Sequence, residues 1–170
     1  LAGEHVQLHG LVGTPAPVQR PHPPLAVGAS QERMLRLAGR EADVVSLSPD
    51  IRSRQYGPFP ASRTVTEAMD RQVGIVRAAA GDRADDLELS VNLMPARVLG
   101  NRAAFAERVA GNVGLTPDET LASPHVLVGS VDDICEQLEE RRSRWGISYH
   151  VLGAQVIDEM APVVARMTGR

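Results

Sequence analysis

The sequence lacks residues on which several classes of protein depend. It contains a single cysteine, Cys135, which excludes a disulfide within the chain and a zinc site built from cysteines. Aromatic residues make up only 3% of its 170 residues, too few for a surface on which nucleic-acid bases stack. We therefore expect neither a disulfide scaffold nor a nucleic-acid partner.

Charge and hydropathy exclude two further classes. The 18 basic residues, which are all arginines, and the 21 acidic residues are spread along the chain and give a net charge of −3. No basic stripe or acidic tail therefore indicates an electrostatic partner. No apolar run reaches the roughly 18 residues that span a membrane, and no export signal is visible. We expect a protein of the reducing cytoplasm with no membrane partner.

What the sequence does contain is apolar residues, which make up 43% of it and are chiefly Val, Leu, Ala and Ile. This content suffices for one sizeable core. The predicted main strands are residues 25–28, 42–47, 87–93 and 147–152, with a further apolar run at 125–129. Because amphipathic helical segments lie between these runs, the pattern predicts helical crossovers and a parallel sheet.

The helical segments have recognisable ends. The residues predicted to cap or end them are Ser30, Thr64, Asn101, Ser130, Gly81 and Gly146. Pro162 lies inside the last helical segment. Because proline lacks the amide that a helix interior needs, we expect a break or a fresh helix start at that residue.

Four strand–helix units amount to half of an eightfold (β/α)8 barrel, whose full size is typically about 250 residues. We therefore expect an α/β fold in which residues 1–170 form a single domain, the C-terminal half of a TIM barrel, with the other half upstream of Leu1. A half-barrel exposes two sheet edges and its interior. This exposure favours pairing of two copies, so we expect a homodimer.

The turn after the first predicted strand, Gly28-Ala29-Ser30, is a candidate anion site. In parallel α/β folds the end of a strand and the start of the next helix meet at the ligand-binding rim, where free amides and the helix dipole favour an anion. Small side chains let a phosphate approach the backbone closely, and Ser30 can donate its hydroxyl. The same residues equally suit a tight turn in which Ser30 is an ordinary helix cap. From the residues alone both interpretations stay open.

Other residues with chemical potential have structural explanations. His5 and His9 have the spacing of metal ligands on a helix, but the residues between them alternate as in a strand, so we expect no metal site. Asp132 and Asp133 fall in the first turn of a helix, where the dipole alone favours carboxylates. His150, near the end of the last strand, is the histidine best placed to face a ligand.

The loop at residues 48–62 follows a predicted strand and concentrates Arg52, Arg54, Tyr56 and Phe59. Long loops at this position in a barrel often contact substrate. The composition suits a surface excursion equally well, so this loop has two open interpretations.

Two segments resemble the bacterial luciferase-like superfamily. PPLAVGASQERMLRLAGREADVVSL, residues 23–47, is similar to the part in which a Pro-Pro strand ends in a small-residue turn and a helix. SPHVLVGSVDDICEQLEERRSRWGISYHVL, residues 123–152, is similar to the Val-Gly-Ser/Thr, amphipathic helix, Gly and final-strand arrangement. Together they cover most of residues 15–168. The sequences of three segments are most similar to the branch of the superfamily that uses the deazaflavin coenzyme F420. These segments are PVQRPHPPLAVG, RWGISYHVL and APVVARMTGR.

The resemblance implies an oxidoreductase that transfers a hydride between F420 and a small organic substrate. It also implies a coenzyme phosphate site at Gly28, Ala29, Ser30 and Gln31, with Met34 below them. Many members of the superfamily have consecutive glycines where this chain has Ala29-Ser30-Gln31.

In the superfamily the groups that exchange protons belong mainly to the first four strands. The resemblance therefore implies no catalytic residue in this chain, which we expect to be inactive alone. Two alternatives remain: a monooxygenase that uses flavin mononucleotide (FMN) on the same barrel, and a non-catalytic half-barrel remnant.

Overall fold

The structure, a computed structural model, describes residues 2–49, 65–113 and 115–169. The predicted cap at Thr64 and the residues Arg52, Arg54, Tyr56 and Phe59 lie outside the described residues. Residues 2–24 form no helix or strand apart from an isolated antiparallel bridge between Ala2 and Gln7.

The described residues form strands and helices in alternation, as the sequence predicts. The strands are β1 (Ala26–Ala29), β2 (Val44–Leu47), β3 (Glu88–Asn92), β4 (Ala96–Val98), β5 (Leu127–Gly129) and β6 (Ile147–Val151). The helices are α1 (Glu32–Glu41), α2 (Val65–Ala80), α3 (Arg102–Val113), α4 (Pro117–Ala122), α5 (Val131–Trp145) and α6 (Ile157–Met167). Among the helices of the described ranges, none has both the length and the apolar character needed to cross a membrane.

The main sheet has the strand order β1-β2-β3-β6, and every neighbouring pair is parallel. The four strands are the four main strands that the sequence predicts. Consecutive parallel strands need crossovers, which α1, α2 and the β4–α5 region supply. This arrangement is the one expected for half of an eightfold barrel.

One face of this sheet, which we call the helix-covered face, carries the core. The register pairs Val45 with Leu89 and Leu47 with Val91, and each of these side chains is at most 3% exposed. The helix residues that join them in the core include Leu35, Ala38, Met69, Val73, Val76, Ile134, Trp145, Met160 and Val163. Burying a large apolar side chain contributes about 1.5–3 kcal/mol, so this face holds most of the stabilising contacts.

The opposite face carries a different set of side chains. Gly28, Ser46, Ser90 and Tyr149 are aligned in register across all four strands. Because three of the four carry a hydroxyl group, we call these four residues the hydroxyl row. Gly28 and Tyr149, at the two edges of the sheet, are exposed, whereas Ser90 in its centre is only 3% exposed. Small and polar side chains thus line this face of the sheet.

Strands β4 and β5 form a separate parallel pair. The amide of Leu93 still bonds the carbonyl of Val151 in β6, at 2.9 Å, but the amide of Met94 bonds the carbonyl of His125, at 2.8 Å. The chain beyond β3 therefore leaves β6 and pairs with β5. The apolar run predicted at residues 125–129 is a strand of this small pair, whereas β4 is a strand that the sequence analysis did not predict.

Most predicted helix ends are confirmed. Asn101 accepts a hydrogen bond from the amide of Ala104 at 2.9 Å, and Ser130 forms a reciprocal capping box with Asp133. Gly81 and Gly146 end helical segments with φ of 58° and 74°, which glycine adopts without steric cost.

Two predicted helix features are wrong. Ser30 does not cap α1, whose N-cap is Gln31, because the chain turns one residue later than the small-residue pattern indicates. Pro162 lies inside the continuous helix α6 and does not break it. Its ring is exposed, while Met160 and Val163 on the buried side hold both turns against the core. This packing offsets the single helical hydrogen bond that proline removes.

Candidate functional site

The predicted turn lies at the carboxyl end of the sheet. Strand β1 ends at Ala29 and helix α1 begins at Glu32, so Ser30 and Gln31 form the connection. The chain after β2 continues through Ser48 beside it, since the amide of Ser48 bonds the carbonyl of Ala29 at 3.0 Å. This is the edge at which parallel α/β folds bind ligands.

Gln72 of α2 holds the two strand ends in place. Its side chain is buried, and its Nε2 donates to the carbonyl of Ser48 at 2.9 Å and to that of Ser30 at 3.4 Å. The sequence analysis missed this residue. The sequence does contain a signal for this role, because Gln72 is a polar residue within the apolar stripe of Met69, Val73 and Val76. A polar side chain in such a stripe is expected to be buried and to need a hydrogen-bond partner.

Like the N-terminus of α6, that of α1 has no side-chain cap. Its N-cap, Gln31, has extended backbone angles (φ −101°, ψ 145°), and its side chain makes no capping hydrogen bond. By contrast, Thr116 and Ser130 cap α4 and α5 with their hydroxyls. The first hydrogen bond of α1 runs from the amide of Leu35 to the carbonyl oxygen of Gln31. The amides of residues 32–34 therefore have no acceptor within the helix. They can donate to an anion, which the helix dipole also favours.

Two further observations beside this turn fit a ligand. The Nε2 atom of Gln31 is buried and has no hydrogen-bond partner among the described residues, although buried amide groups nearly always have one. At Gly28, no heavy atom outside its chain neighbours lies within 4 Å of the position that a Cβ would take. The turn thus has backbone amides beside open space on the sheet face, with the buried and unpartnered Nε2 of Gln31 next to them.

The other site residues implied by the resemblance lie as follows. Ala29 is only 4% exposed and its side chain belongs to the core, so only its backbone can contact a ligand. Ser30 is half-buried in the turn. Met34 lies in the first turn of α1 and is 40% exposed. Its amide is one of the three at the start of α1 that have no acceptor within the helix. The structure brings Gly28, Ser30 and Gln31 together at the turn.

Nearby charges leave the turn suited to an anion. Glu32 begins α1, where its carboxylate opposes a bound anion. Arg36 and Arg71 each approach this carboxylate to 2.9 Å, and the hydrogen bond from Arg36 is the main cause of a lowered pKa for Glu32. The two guanidinium groups therefore neutralise the charge of Glu32. Arg33 is exposed.

The remaining candidates have structural roles. Asp133 belongs to the capping box of α5, and its hydrogen bonds with Ser130 lower its pKa. Asp132 pairs with Arg166. His125 is half-buried, and its Nδ1 lies 3.3 Å from the carbonyl oxygen of Asn92. Within the ranges that the structure describes, no group of three His, Cys, Asp or Glu side chains is arranged to hold a metal ion.

His150 lies near the end of β6, as the sequence predicts, but it does not face the side of the sheet on which the candidate ligand face lies. It pairs with Val91 in the register, so it projects to the helix-covered face and not to the hydroxyl row. A β-bulge between β3 and β6 sets this register, which alternation along β6 alone does not reveal. Burial is the main reason why its pKa is lowered to about 4.

Comparison with protein families identifies the relatives of this chain. Residues 1–149 match the model of the luciferase-like monooxygenase family. The chain belongs to this family. The resemblance seen in residues 23–47 and 123–152 is therefore confirmed at the level of the family. No curated protein matches the chain.

A solved structure with a TM-score above 0.5 supports the fold of this luciferase-like chain. A long-chain alkane monooxygenase (LadA) is 13% identical, with a TM-score of 0.53, and the match covers 85% of this chain and 41% of that one. A coenzyme F420-dependent tetrahydromethanopterin reductase from Methanopyrus kandleri is 14% identical, with a TM-score of 0.48, covering 78% and 45%. The chain thus spans less than half the length of either structure. At 13% identity the likeness to the alkane monooxygenase concerns the fold alone, a partial luciferase-like TIM barrel.

Proposed function

We propose that the protein carrying this luciferase-like chain is an oxidoreductase that transfers a hydride between coenzyme F420 and a small organic substrate. In this proposal the turn at Gly28, Ala29, Ser30 and Gln31, with the amide of Met34, holds the phosphate of the coenzyme. The observation that carries it is the uncapped start of α1 beside the unpartnered Nε2 of Gln31.

The donors at the turn suit a phosphate with a single charge. The turn itself offers backbone amides and the neutral side chain of Gln31. Of the arginines beside it, Arg36 and Arg71 pair with the carboxylate of Glu32, and Arg33 is exposed. The phosphate of F420 is a diester with one negative charge, whereas that of FMN is a monoester that approaches two. A monoester dianion is best met by arginine or lysine. The donor set therefore favours F420.

The hydroxyl row extends the site across the sheet. Ser46 and Tyr149 are in register with Gly28, so a ligand that runs from the turn over this face meets their side chains, whereas Ser90 between them is buried. F420 supplies a ring that accepts or gives a hydride, and the protein supplies binding and orientation. In this proposal the chain anchors the phosphate at one end and supports the ring along the row. It contributes no catalytic residue.

A monooxygenase that uses FMN is the second candidate, because the matched family model describes luciferase-like monooxygenases. Both coenzymes carry a phosphate, so the turn is compatible with either. A titration distinguishes them.

The purified protein is titrated with F420 and with FMN at equal ionic strength, and binding is followed by coenzyme fluorescence. We expect saturable binding of F420 and at least tenfold weaker binding of FMN. Tight binding of FMN without binding of F420 would overturn the choice of coenzyme. Binding of neither would support a non-catalytic half-barrel.

Replacing Gln31 by Leu tests the turn itself. Because Nε2 of Gln31 has no partner among the described residues, Gln31→Leu breaks no hydrogen bond of that nitrogen within them, so stability is expected to change little. Loss of one hydrogen bond to a charged group corresponds to about 1.5–3 kcal/mol, or roughly a tenfold to hundredfold weaker coenzyme affinity. Gln19→Leu, in the exposed segment before β1, is the matched control and is expected to bind normally.

A further inference from the structure

The main sheet has two open edges. In the order β1-β2-β3-β6, the strands β1 and β6 each have a neighbour on one side only among the described strands. The carbonyls of Leu25 and Ala29 accept hydrogen bonds from amides of the chain at β2, at 3.0 Å each. Because backbone groups alternate in direction along a strand, those of Ala26 and Gly28 point away from β2. The outer edge of β1 therefore presents donors and acceptors that can pair with another strand.

Both edges lack the features that keep an edge strand from pairing with another chain. Natural edge strands normally carry charged residues or prolines, or a helix or loop covers them. Strand β1 is Ala-Val-Gly-Ala and β6 is Ile-Ser-Tyr-His-Val, so neither contains a proline, a carboxylate, a lysine or an arginine. Ala26 and Gly28 at one edge and Ser148 and Tyr149 at the other are exposed. Both edges are thus accessible to a further strand.

The sheet face between the two edges is also uncovered at its margins. Tyr149 and Val151 of β6 lie on the face of the hydroxyl row and are 47% and 40% exposed. Parallel sheets are normally covered on both faces. In a closed barrel this requirement is met because side chains from all the strands fill the interior. The exposed side chains on this face therefore indicate that strands are missing opposite it.

The number of strands matches a second copy of the chain. Four parallel strands are half of the eight that close a (β/α)8 barrel. The match to the long-chain alkane monooxygenase covers 41% of that structure, so two copies of this chain have about the length of that one barrel. The two edges belong to different strands. A two-fold rotation about the barrel axis therefore brings β6 of each copy beside β1 of the other, with all the strands parallel.

We infer that two copies of this chain associate edge to edge, with β6 of each beside β1 of the other, and close an eight-stranded barrel. Both junctions form at once, and the sheet then has no open edge. The two hydroxyl rows line the same interior, where Tyr149 and Val151 become buried. This association requires no coenzyme, so it is independent of the proposed function.

Sedimentation velocity of the purified chain over a dilution series, without coenzyme, measures the association. We expect a species with the mass of two chains. Ala26→Lys and Tyr149→Lys place a charge at one edge each, and each is expected to weaken the dimer at least tenfold. Ala78→Lys adds the same charge to the exposed surface of α2 and is the matched control, expected to dimerise normally. Circular dichroism verifies that each variant is folded.

Hydrogen exchange of the unmodified protein tests the same junction without a substitution. The amides of Ala26 and Gly28 are expected to be protected at concentrations at which the dimer forms and to exchange rapidly after dilution.

Three results would overturn the inference. A dimer that only one of the two edge variants weakens would indicate that like edges pair. Equal weakening by Ala78→Lys would place the contact elsewhere. A chain that stays monomeric would exclude the second copy, and protected edge amides in that monomer would show that other residues of the same polypeptide cover the edges.

Discussion

The two faces of the main sheet differ in composition although they share the same four strands. On the helix-covered face Val45, Leu47 and Val91 are fully buried. On the other face the hydroxyl row places glycine, serine and tyrosine in the equivalent positions. Parallel sheets are normally covered on both faces and read as continuous apolar runs. The difference indicates that the apolar face stabilises the fold, whereas the other face carries small and polar side chains.

The largest expected effect comes from the helix-covered face. Leu47→Ala removes a fully buried side chain and leaves a cavity, so the free energy of unfolding is expected to fall by about 2–5 kcal/mol. Its neighbour Ser46 projects to the opposite face, and Ser46→Ala is expected to change stability by no more than about 0.5 kcal/mol. Urea denaturation measures both. Equal losses in the two variants would show that the faces do not differ in this way.

The helix-covered face also contains a titratable group. The folded-state pKa of His150 is lowered from 6.5 to about 4, so the unfolded chain binds a proton first as the pH falls. Stability is therefore present above pH 6.5 and is lost between that value and about 4. Between pH 7 and pH 5 the expected loss from His150 is about 2 kcal/mol.

Urea denaturation of the unmodified protein and of His150→Gln at pH 7 and pH 5 measures this contribution. The variant is expected to lose about 2 kcal/mol less stability over this interval. His125, whose pKa is lowered by burial, adds a loss of the same sign in both proteins. An identical pH dependence in the two proteins would contradict the burial of His150.

The contact between α1 and α2 depends on Gly39. A Cβ at this position would lie 2.5 Å from the carbonyl oxygen of Val76 and 3.1 Å from Cβ of Ala79. Gly39→Ala is therefore expected to destabilise the protein by about 1–2 kcal/mol, although alanine is the better helix former. In Gly74→Ala, on the same helix pair, the new Cβ meets nothing within 4 Å, and a gain of up to about 1 kcal/mol is expected. Thermal denaturation distinguishes the opposite signs.

Gln72 connects the helix-covered face to the candidate site. It belongs to α2, and its side chain reaches the carbonyls of Ser30 and Ser48, which follow β1 and β2. Gln72→Leu is expected to cost about 1 kcal/mol of stability, since two carbonyls lose a donor near solvent. It is also expected to weaken coenzyme binding by loosening the turn. Coenzyme affinity measured on the folded variant tests this point, and an unchanged affinity would show that Gln72 does not position the turn.

Local sequence signals predicted much of the fold. Asn101, Ser130 and Gly146 act through the residues next to them, so their roles as caps follow from short patterns. Strand β4 was missed because its three residues, Ala96–Val98, are too few to show periodicity, and it pairs with a strand about thirty residues away. Pro162 was misjudged because the packing of its neighbours, and not its own ring, determines whether α6 continues.

The candidate site was predicted in part. The turn at Gly28 follows from a strand that ends on small residues, but Gln31 as N-cap depends on where the chain turns. The role of Gln72 depends on carbonyls that are distant in sequence, and no spacing rule identifies such partners. His150 was expected to face a ligand, but a shift in the register between β3 and β6 turns it to the helix-covered face.

The most direct test of the coenzyme site fills the open space at Gly28. The dissociation constant of F420 is measured for the unmodified protein, for Gly28→Val and for Ala26→Val, which lies on the same face of β1 one pleat further from the turn. If the turn holds the coenzyme phosphate, Gly28→Val weakens binding at least tenfold while Ala26→Val binds normally and both remain folded. Unchanged affinity in a folded Gly28→Val variant would contradict the account.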